Sequence, residues 1–385
     1  MNETSKIKVF EAFAGYGSQR MALRNLGIPH EVVGISEIVE DAILAYSAIH
    51  TNFLESISNN DTNLFKEKPK IIEYFEKINV PLDYKTFKNR ARTLKKDNLK
   101  RLYLANILAK NFGDIKRINP ENLPDFDLFT YSFPCQDISV AGYQKGLNAD
   151  SGTRSSLLWE CCKIIEIKKP RFLMMENVKN LVGKNHRQNF VNFLKYLEKL
   201  GYSNSWAILN AKDFGIPQNR ERVFCISLLD KSQLFKFPNP IALKKTMSDF
   251  LEPSAPESRY RKKETSDFVF KQDICYCIDS NYWKGSTLRS FIEKRRRQLV
   301  TDGTTNDEGK FRIRQLTPRE TWRLMGCSDI DYEKAASVVN ATNLYKLAGN
   351  SIVVPVLEAI FRSLFTGIAD ANSSELKQNC QLSLF

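Results

Sequence analysis

Along the first half of the chain, apolar runs of strand length alternate with stretches whose apolar residues recur at helical spacing. Residues 7–15 (IKVFEAFAG) read as a buried strand, and 18–26 (SQRMALRNL) as the helix after it, ended by Gly27. Residues 31–37 (EVVGISE) predict a second strand and 39–50 a second helix. The strand signature returns at 125–133, 170–178 and 222–228, with helical periodicity over 155–169 and 184–200 between them. This alternation predicts an α/β fold built on a Rossmann-like, doubly wound, mostly parallel sheet with helices on both faces.

Two regions break the rhythm. Residues 51–110 are far too long for a simple helix-to-strand connection and carry 13 Lys or Arg against 7 Asp or Glu, which predicts a basic helical insert. In residues 231–312 the alternation stops, Pro and Ser cluster, and the charge again runs positive, 17 against 11. Helical patterning resumes at 317–326 and 351–364. The organisation expected is therefore a large domain of residues 1–230, a smaller inserted domain of 231–312, and a return to the large domain over 313–385.

Composition narrows the partners. The 385 residues, 42% apolar and 11% aromatic with only 17 Gly and 14 Pro, exclude a disordered or collagen-like chain. A formal charge of +13, from 57 Lys and Arg against 44 Asp and Glu, favours a polyanionic partner. No run reaches the roughly 18 to 20 apolar residues of a membrane span, and the N-terminus lacks a signal-peptide layout, so a cytoplasmic protein is expected. The eight cysteines and three histidines show no ligand spacing, which predicts free thiols and no metal.

Candidate chemistry clusters at the predicted strand ends, where open α/β sheets hold their ligands. Phe13-Ala14-Gly15-Tyr16-Gly17 is a glycine turn opening a helix, and Glu37 ends the second strand about 20 residues on, where such folds bind a ribose. Arg20 stands where a dinucleotide fingerprint has its third glycine, so a nucleoside cofactor other than NAD is expected. Asp114 follows Gly113 and is either an acceptor for an adenine amino group or part of an ordinary turn. Cys135 sits in a loop after a strand, between Pro134 and Gln136, a poor setting for a core thiol. Cys161, Cys162 and Cys225 lie inside apolar patterns and read as buried small hydrophobes. Glu176 ends another strand, and Arg220 and Arg222 alternate at the start of the next, either in a site or as a solvated pair.

In this order, the motifs resemble those of the cytosine carbon-5 DNA methyltransferases over nearly the whole chain outside 51–110 and 231–312. F-x-G-x-G is Phe13, Gly15 and Gly17; the acid and the apolar residue after it are Glu37 and Ile38; P-C is Pro134-Cys135; E-N-V is Glu176-Asn177-Val178. Q-x-R-x-R is Gln218, Arg220 and Arg222; Arg314 to Glu320 resembles the motif closing the variable region, and Gly349-Asn350-Ser351-Ile352-Val353 the last one. The chain departs from the family's frequent Thr-Leu pair before the recognition loop, reading Cys277-Ile278.

The resemblance implies a class I S-adenosylmethionine-dependent methyltransferase whose inserted domain recognises the target. It implies that Phe13, Gly15, Tyr16, Gly17, Glu37, Ile38, Asp114, Ile115, Pro134, Leu157, Asn350, Ser351 and Ile352 hold S-adenosylmethionine. Cys135 would attack carbon 6 of a flipped cytosine, Glu176 would hold or protonate ring nitrogen 3, Arg222 would contact the base and Arg220 would support Cys135 or a phosphate. Gln136, Ser139, Lys284, Arg289, Arg295, Arg296 and Arg297 would contact double-stranded DNA, the last five within a stretch that also reads as a solvated basic helix face. A restriction-modification setting, with a separate cognate endonuclease, and a monomer are the expected context. The rivals are an RNA cytosine-5 methyltransferase of the same fold, a non-catalytic DNA-binding relative, and an NAD-dependent oxidoreductase.

Overall fold

The computed structural model describes residues 6–58, 67–83, 86, 88–134, 156–230, 232, 234–270 and 272–365. The chain divides into two compact units: Met1–Leu209 with Glu221–Asn239 and Glu358–Phe385, and Asn210–Arg220 with Pro240–Leu357.

In the first unit, β1 (Ile7–Ala12), α1 (Ser18–Asn25), β2 (His30–Ser36) and α2 (Glu40–His50) follow the expected alternation. The insert supplies α3 (Phe53–Ser58), α4 (Lys68–Ile78) and α5 (Lys96–Leu108). Then come β3 (Leu128–Tyr131), α6 (Ser156–Lys168), β4 (Phe172–Val178), α7 (Arg187–Lys199), β5 (Ser203–Asn210) and β6 (Glu221–Leu228). The six strands lie in the order β2-β1-β3-β4-β6-β5. β1 pairs in parallel with β2 and β3, and β3 with β4, whereas β6 runs antiparallel to β4. The chain therefore winds outward in both directions from the gap between β1 and β3, the switch point at which such sheets open a crevice. Residues of β3 are buried throughout, which is why that strand reads as a continuous apolar run. Phe10, Phe129 and Tyr131 join Cys161, Cys162 and Cys225 in one core cluster, so these three cysteines are core residues. Burial pushes the Cys225 thiol up to about 12 and the other two higher still, leaving them protonated and inert.

β5 was not signalled by periodicity, since its middle residues are only half buried at the sheet edge. Before β3 the chain makes a single bridge from Asn111 to Ile35 and then a 3₁₀ turn, Ile115–Arg117, capped by Asp114.

The second unit holds a three-stranded antiparallel sheet of β7 (Tyr260–Ser266), β8 (Leu299–Thr305) and β9 (Phe311–Gln315), in the order β8-β9-β7. Its short helix α8 (Leu288–Lys294) packs Phe291 against Leu299 and Ile313. Next are α9 (Pro318–Arg323), α10 (Asp329–Ala336) and α11 (Ala341–Asn350). The unit extends to Leu357, so residues 313–357, expected to rejoin the first domain, belong to it, and only the later part of α12 (Val354–Phe365) does not. The reason is local. Arg314 leaves β9 fully buried and makes two 2.9 Å bonds to Glu320, whose carboxylate also closes the Thr317 capping box of α9.

Within Ala341–Phe365, an 18-residue window with a mean hydropathy of 1.4 is, by length and composition, apolar enough to cross a bilayer, contrary to the sequence expectation. With 67% of that window buried within the protein, it is core helix material.

Candidate active site

At the carboxyl ends of β1 and β2, the chain from Phe13 to Gly17 turns through left-handed backbone, with φ of 56° at Phe13 and Gly15 and 83° at Gly17. The Phe13 N–H donates to the Ser36 carbonyl at 2.7 Å, laying the turn against the end of β2. Glu37 follows that end. Its carboxylate accepts from the Gly15 N–H at 2.9 Å and from the N–H groups of Ile38 and Val39 at 2.8 and 2.9 Å. Burial raises its pKa above the ordinary glutamate value, and these backbone donors oppose the rise. A Cβ at Gly17 would strike His50 and Tyr46, so only glycine fits at the start of α1; over Gly15 there is open space. Tyr16 is buried, and its carbonyl meets the His50 ring at 3.0 Å. Two residues before Phe13, the buried Glu11 carboxyl accepts from Tyr46 Oη at 2.6 Å through Oε2, while Oε1 has no partner among the described residues. Burial holds its pKa high.

Asp114 faces the same β2 end through Ser36 and Gly113, whose hydroxyl and carbonyl meet at 2.7 Å. Its carboxylate accepts from Asn79 Nδ2 at 2.8 Å and from the Lys116 N–H at 3.1 Å. Ile115 packs into the core cluster, and Leu157, in the first turn of α6, lies against it. A ligand that donates through ribose hydroxyls and an exocyclic amine fits these acceptors: two buried carboxylates beside unfilled space over a glycine turn.

A second constellation lies at the ends of β3, β4 and β6. Arg222 Nε stands 3.3 Å from Glu176 Oε1, and Arg222 also donates to the Glu221 carbonyl at 2.8 Å. The antiparallel register creates this pair by setting Arg222 opposite Val178, two residues along from Glu176. Between them in sequence, Asn177 donates through Nδ2 to the Phe133 carbonyl at 2.8 Å, anchoring the chain just before the exposed Pro134. Cys135, Gln136 and Ser139 lie outside the described residues.

The remaining expected site residues belong to the second unit. Arg220 is buried, and its guanidinium donates to the carbonyls of Ile278, Gly349 and Ser351 at 2.8, 3.0 and 2.5 Å. Its charge is thus occupied by three main-chain acceptors. Asn350 is exposed at the end of α11, Ser351 is half buried and Ile352 is buried. Among the basic residues, Arg289 pairs with Glu293 at 2.9 Å and Arg296 with Asp279 at 3.0 Å, while Arg297 donates to the Gly285 carbonyl. Lys284, Lys294 and Arg295 are exposed. Beside them Trp283 is exposed, with the Lys284 and Lys346 ammonium groups 5.6 and 5.5 Å from its ring centre. Among the described residues no group of His, Cys, Asp or Glu is placed to hold a metal ion. Sequence reasoning missed Asn79 and Asn111; the available signal was a buried-helix asparagine, Asn106, inside the apolar stretch LYLANIL.

The sheet order and the acid after β2 define an α/β methyltransferase of the Rossmann-like class. Solved structures share the fold: a Dnmt2 methyltransferase of S. pombe aligns over 94% of this chain and 99% of its own with a TM-score of 0.58 at 19% identity. An E. coli prophage-encoded structure described as a putative DNA modification methyltransferase aligns at a TM-score of 0.52 and 17% identity, over 94% and 99%. Residues 71–366 match the model of the C-5 cytosine-specific DNA methylases. The chain is 61% identical to the type II methyltransferase M2.ScrFI of Lactococcus lactis subsp. cremoris, over 93% of this chain and 99% of that protein. It is 33% identical to the orphan methyltransferase M.SssI of Spiroplasma monobiae, over 93% and 97%. The chain belongs to the C-5 cytosine-specific DNA methylase family and is a DNA cytosine-5 methyltransferase.

Proposed function

We propose that the protein methylates carbon 5 of a cytosine flipped out of a specific duplex sequence, using S-adenosylmethionine and a transient bond from Cys135 to carbon 6. The observation that carries this reading is the Glu176–Arg222 pair at the strand ends, beside the Phe133-Pro134 segment that Asn177 anchors. When bound, S-adenosylmethionine supplies an electrophilic methyl group. Glu37 would accept from its ribose, Asp114 from its adenine amine, and the Phe13 to Gly17 turn would lie along its amino-acid part. Asn350 to Ile352 complete the proposed set.

An aromatic cytosine is a poor nucleophile at carbon 5. Addition of the Cys135 thiolate at carbon 6, with Glu176 giving a proton to ring nitrogen 3, makes the ring an enamine whose carbon 5 takes the methyl group. Arg222 holds the Glu176 carboxyl in place and faces the base. Loss of the carbon-5 proton to a base and expulsion of the thiolate then restore the aromatic ring. A stacked cytosine cannot offer both faces, so it must leave the helix at a cost of a few kcal/mol. Phosphate contacts from exposed cations such as Lys284, Lys294 and Arg295 offset that cost. Arg220 serves as a tie within the second unit. The likeness to the type II methyltransferase M2.ScrFI supports a modification role; a cytoplasmic setting and a separate cognate endonuclease belong to the same proposal.

Incubation with S-adenosylmethionine and duplexes carrying 5-fluorocytosine at each candidate cytosine tests the mechanism. Fluorine stands in place of the carbon-5 proton and cannot leave as a cation, so elimination of the thiolate is blocked and a denaturation-resistant complex is expected, with the adduct mapped by mass spectrometry to Cys135. An adduct on another residue, or methylation of normal duplex with no trapped complex, overturns it.

A further inference from the structure

The basic insert between α2 and β3 is larger than any connection requires, and the reading above gives it no role. Lys68, Lys70, Glu73, Glu76 and Lys77 of α4 are exposed, whereas other polar groups of the insert converge on the nucleoside cradle. Leu82 N–H donates to the Ile38 carbonyl at 3.0 Å. At the insert's end, Asn111 accepts the Glu37 N–H at 3.0 Å and the Gly113 N–H at 3.0 Å through Oδ1, and donates to the Glu37 carbonyl at 2.9 Å. Asn111 is itself held by Asn106 at 2.8 Å, and Asn106 by Tyr74 of α4 at 2.7 Å. The C-terminus of α4 reaches furthest. Its Ile78 carbonyl, which has no acceptor role within the helix, takes the Asp114 N–H at 2.9 Å. Its cap residue Asn79, in left-handed backbone at φ 55°, donates to Asp114 Oδ2 at 2.8 Å. Gly113 lies so close that a Cβ there would collide with the Ile78 carbonyl.

We infer that the insert forms the outer wall of the nucleoside cradle and that Asn79 is a positioning residue, fixing the Asp114 carboxylate for an exocyclic amine and so setting the preference for adenine. The inference rests on the proposed S-adenosylmethionine reading and assigns the element that reading leaves idle. With Oδ2 held by Asn79 and Oδ1 by the Lys116 N–H, the carboxylate cannot rotate, and a remaining lone pair stays aimed at one place. An amine is accepted there; an exocyclic carbonyl oxygen in its place is refused, because two acceptors would face each other.

The test uses Asn79→Gly, which keeps the left-handed cap and removes only the amide, and Asn79→Asp, which tolerates the same backbone and replaces the donor with an acceptor. Binding of S-adenosylhomocysteine and of its inosine counterpart, in which oxygen replaces the amine, is measured by calorimetry on the full chain without DNA. The native protein is expected to prefer the adenine form by at least about tenfold. Both variants are expected to lose most of that preference with duplex affinity unchanged, and the unliganded melting temperature is expected to fall only slightly in Asn79→Gly and further in Asn79→Asp, where two carboxylates face each other. Equal weakening of both ligands, or an intact preference, overturns the role of Asn79. Asp114→Ala separates the two levels: if it keeps native affinity and preference, the cofactor reading of Asp114 fails, whereas loss there with retention in Asn79→Gly sinks only the positioning role.

Discussion

In the first unit, Glu37 and Asp114 are buried and each carboxylate is met by N–H donors at 2.8 to 3.1 Å; in the second, Lys284, Lys294 and Arg295 stand exposed. Buried charge has one fixed geometry and suits a single small ligand, because reorganisation is prevented by the bonds that hold it. Exposed cations on long stems suit a repeating polyanion, where position along the backbone matters less than charge. The same contrast separates two arginines only two residues apart. Arg222 pairs with a carboxylate at a strand end of the first unit, and Arg220 is enclosed by carbonyls in the second.

The largest effect should come from Cys135→Ser. Methyl transfer is expected to fall by at least about a thousandfold, since a hydroxyl without the thiolate's nucleophilicity cannot add to the ring. Affinity for duplex DNA should stay within about tenfold, because it rests on phosphate and base contacts. Labelled-methyl transfer and gel-shift titration read the two quantities, and near-native turnover would remove the thiol from the chemistry.

The arginine pair sharpens the contrast. Arg220→Ala should cost the protein about 2–4 kcal/mol in denaturant unfolding, because three buried carbonyls lose a charged donor. Arg222→Ala should lower turnover about a hundredfold through the freed Glu176 carboxyl while costing less stability than Arg220→Ala. The reverse ranking would exchange their roles.

The smallest effect concerns salt. Replacing Lys294 and Arg295 with alanine should reduce the slope of log affinity against log salt by up to about 0.9 per lost phosphate contact. Arg289→Ala and Arg296→Ala should change it less, since Glu293 and Asp279 already neutralise those groups. An equal change from all four would mean that the pairs open on DNA.

Much of this site was legible because its residues follow strands that announce themselves. The apolar runs ending at Ala12, Ser36 and Val178 place Gly15, Glu37 and Glu176 at carboxyl ends, and the cysteines in apolar patterns proved to be core. The edge strand Ser203–Asn210 was not legible, because one face meets solvent and no clean alternation survives. The division at Leu357 was not legible, because helical patterning after 313 says nothing about which sheet a helix packs on. The bilayer-length apolar stretch escaped notice because polar residues such as Lys346, Asn350, Glu358 and Arg362 interrupt it.

Local sequence determined the strands, the turn that only glycine can make at Gly17, and the chemical groups available to the site, since each depends on backbone sterics and on neighbours a few residues away. Tertiary structure alone decided that Glu176 meets Arg222, that Arg220 is spent on carbonyls, and that an asparagine at the end of α4 holds Asp114. Those contacts join residues 46, 58 to 131 and 35 positions apart, and no periodicity encodes such distances; only the closing of the sheet and the packing of the insert bring them together.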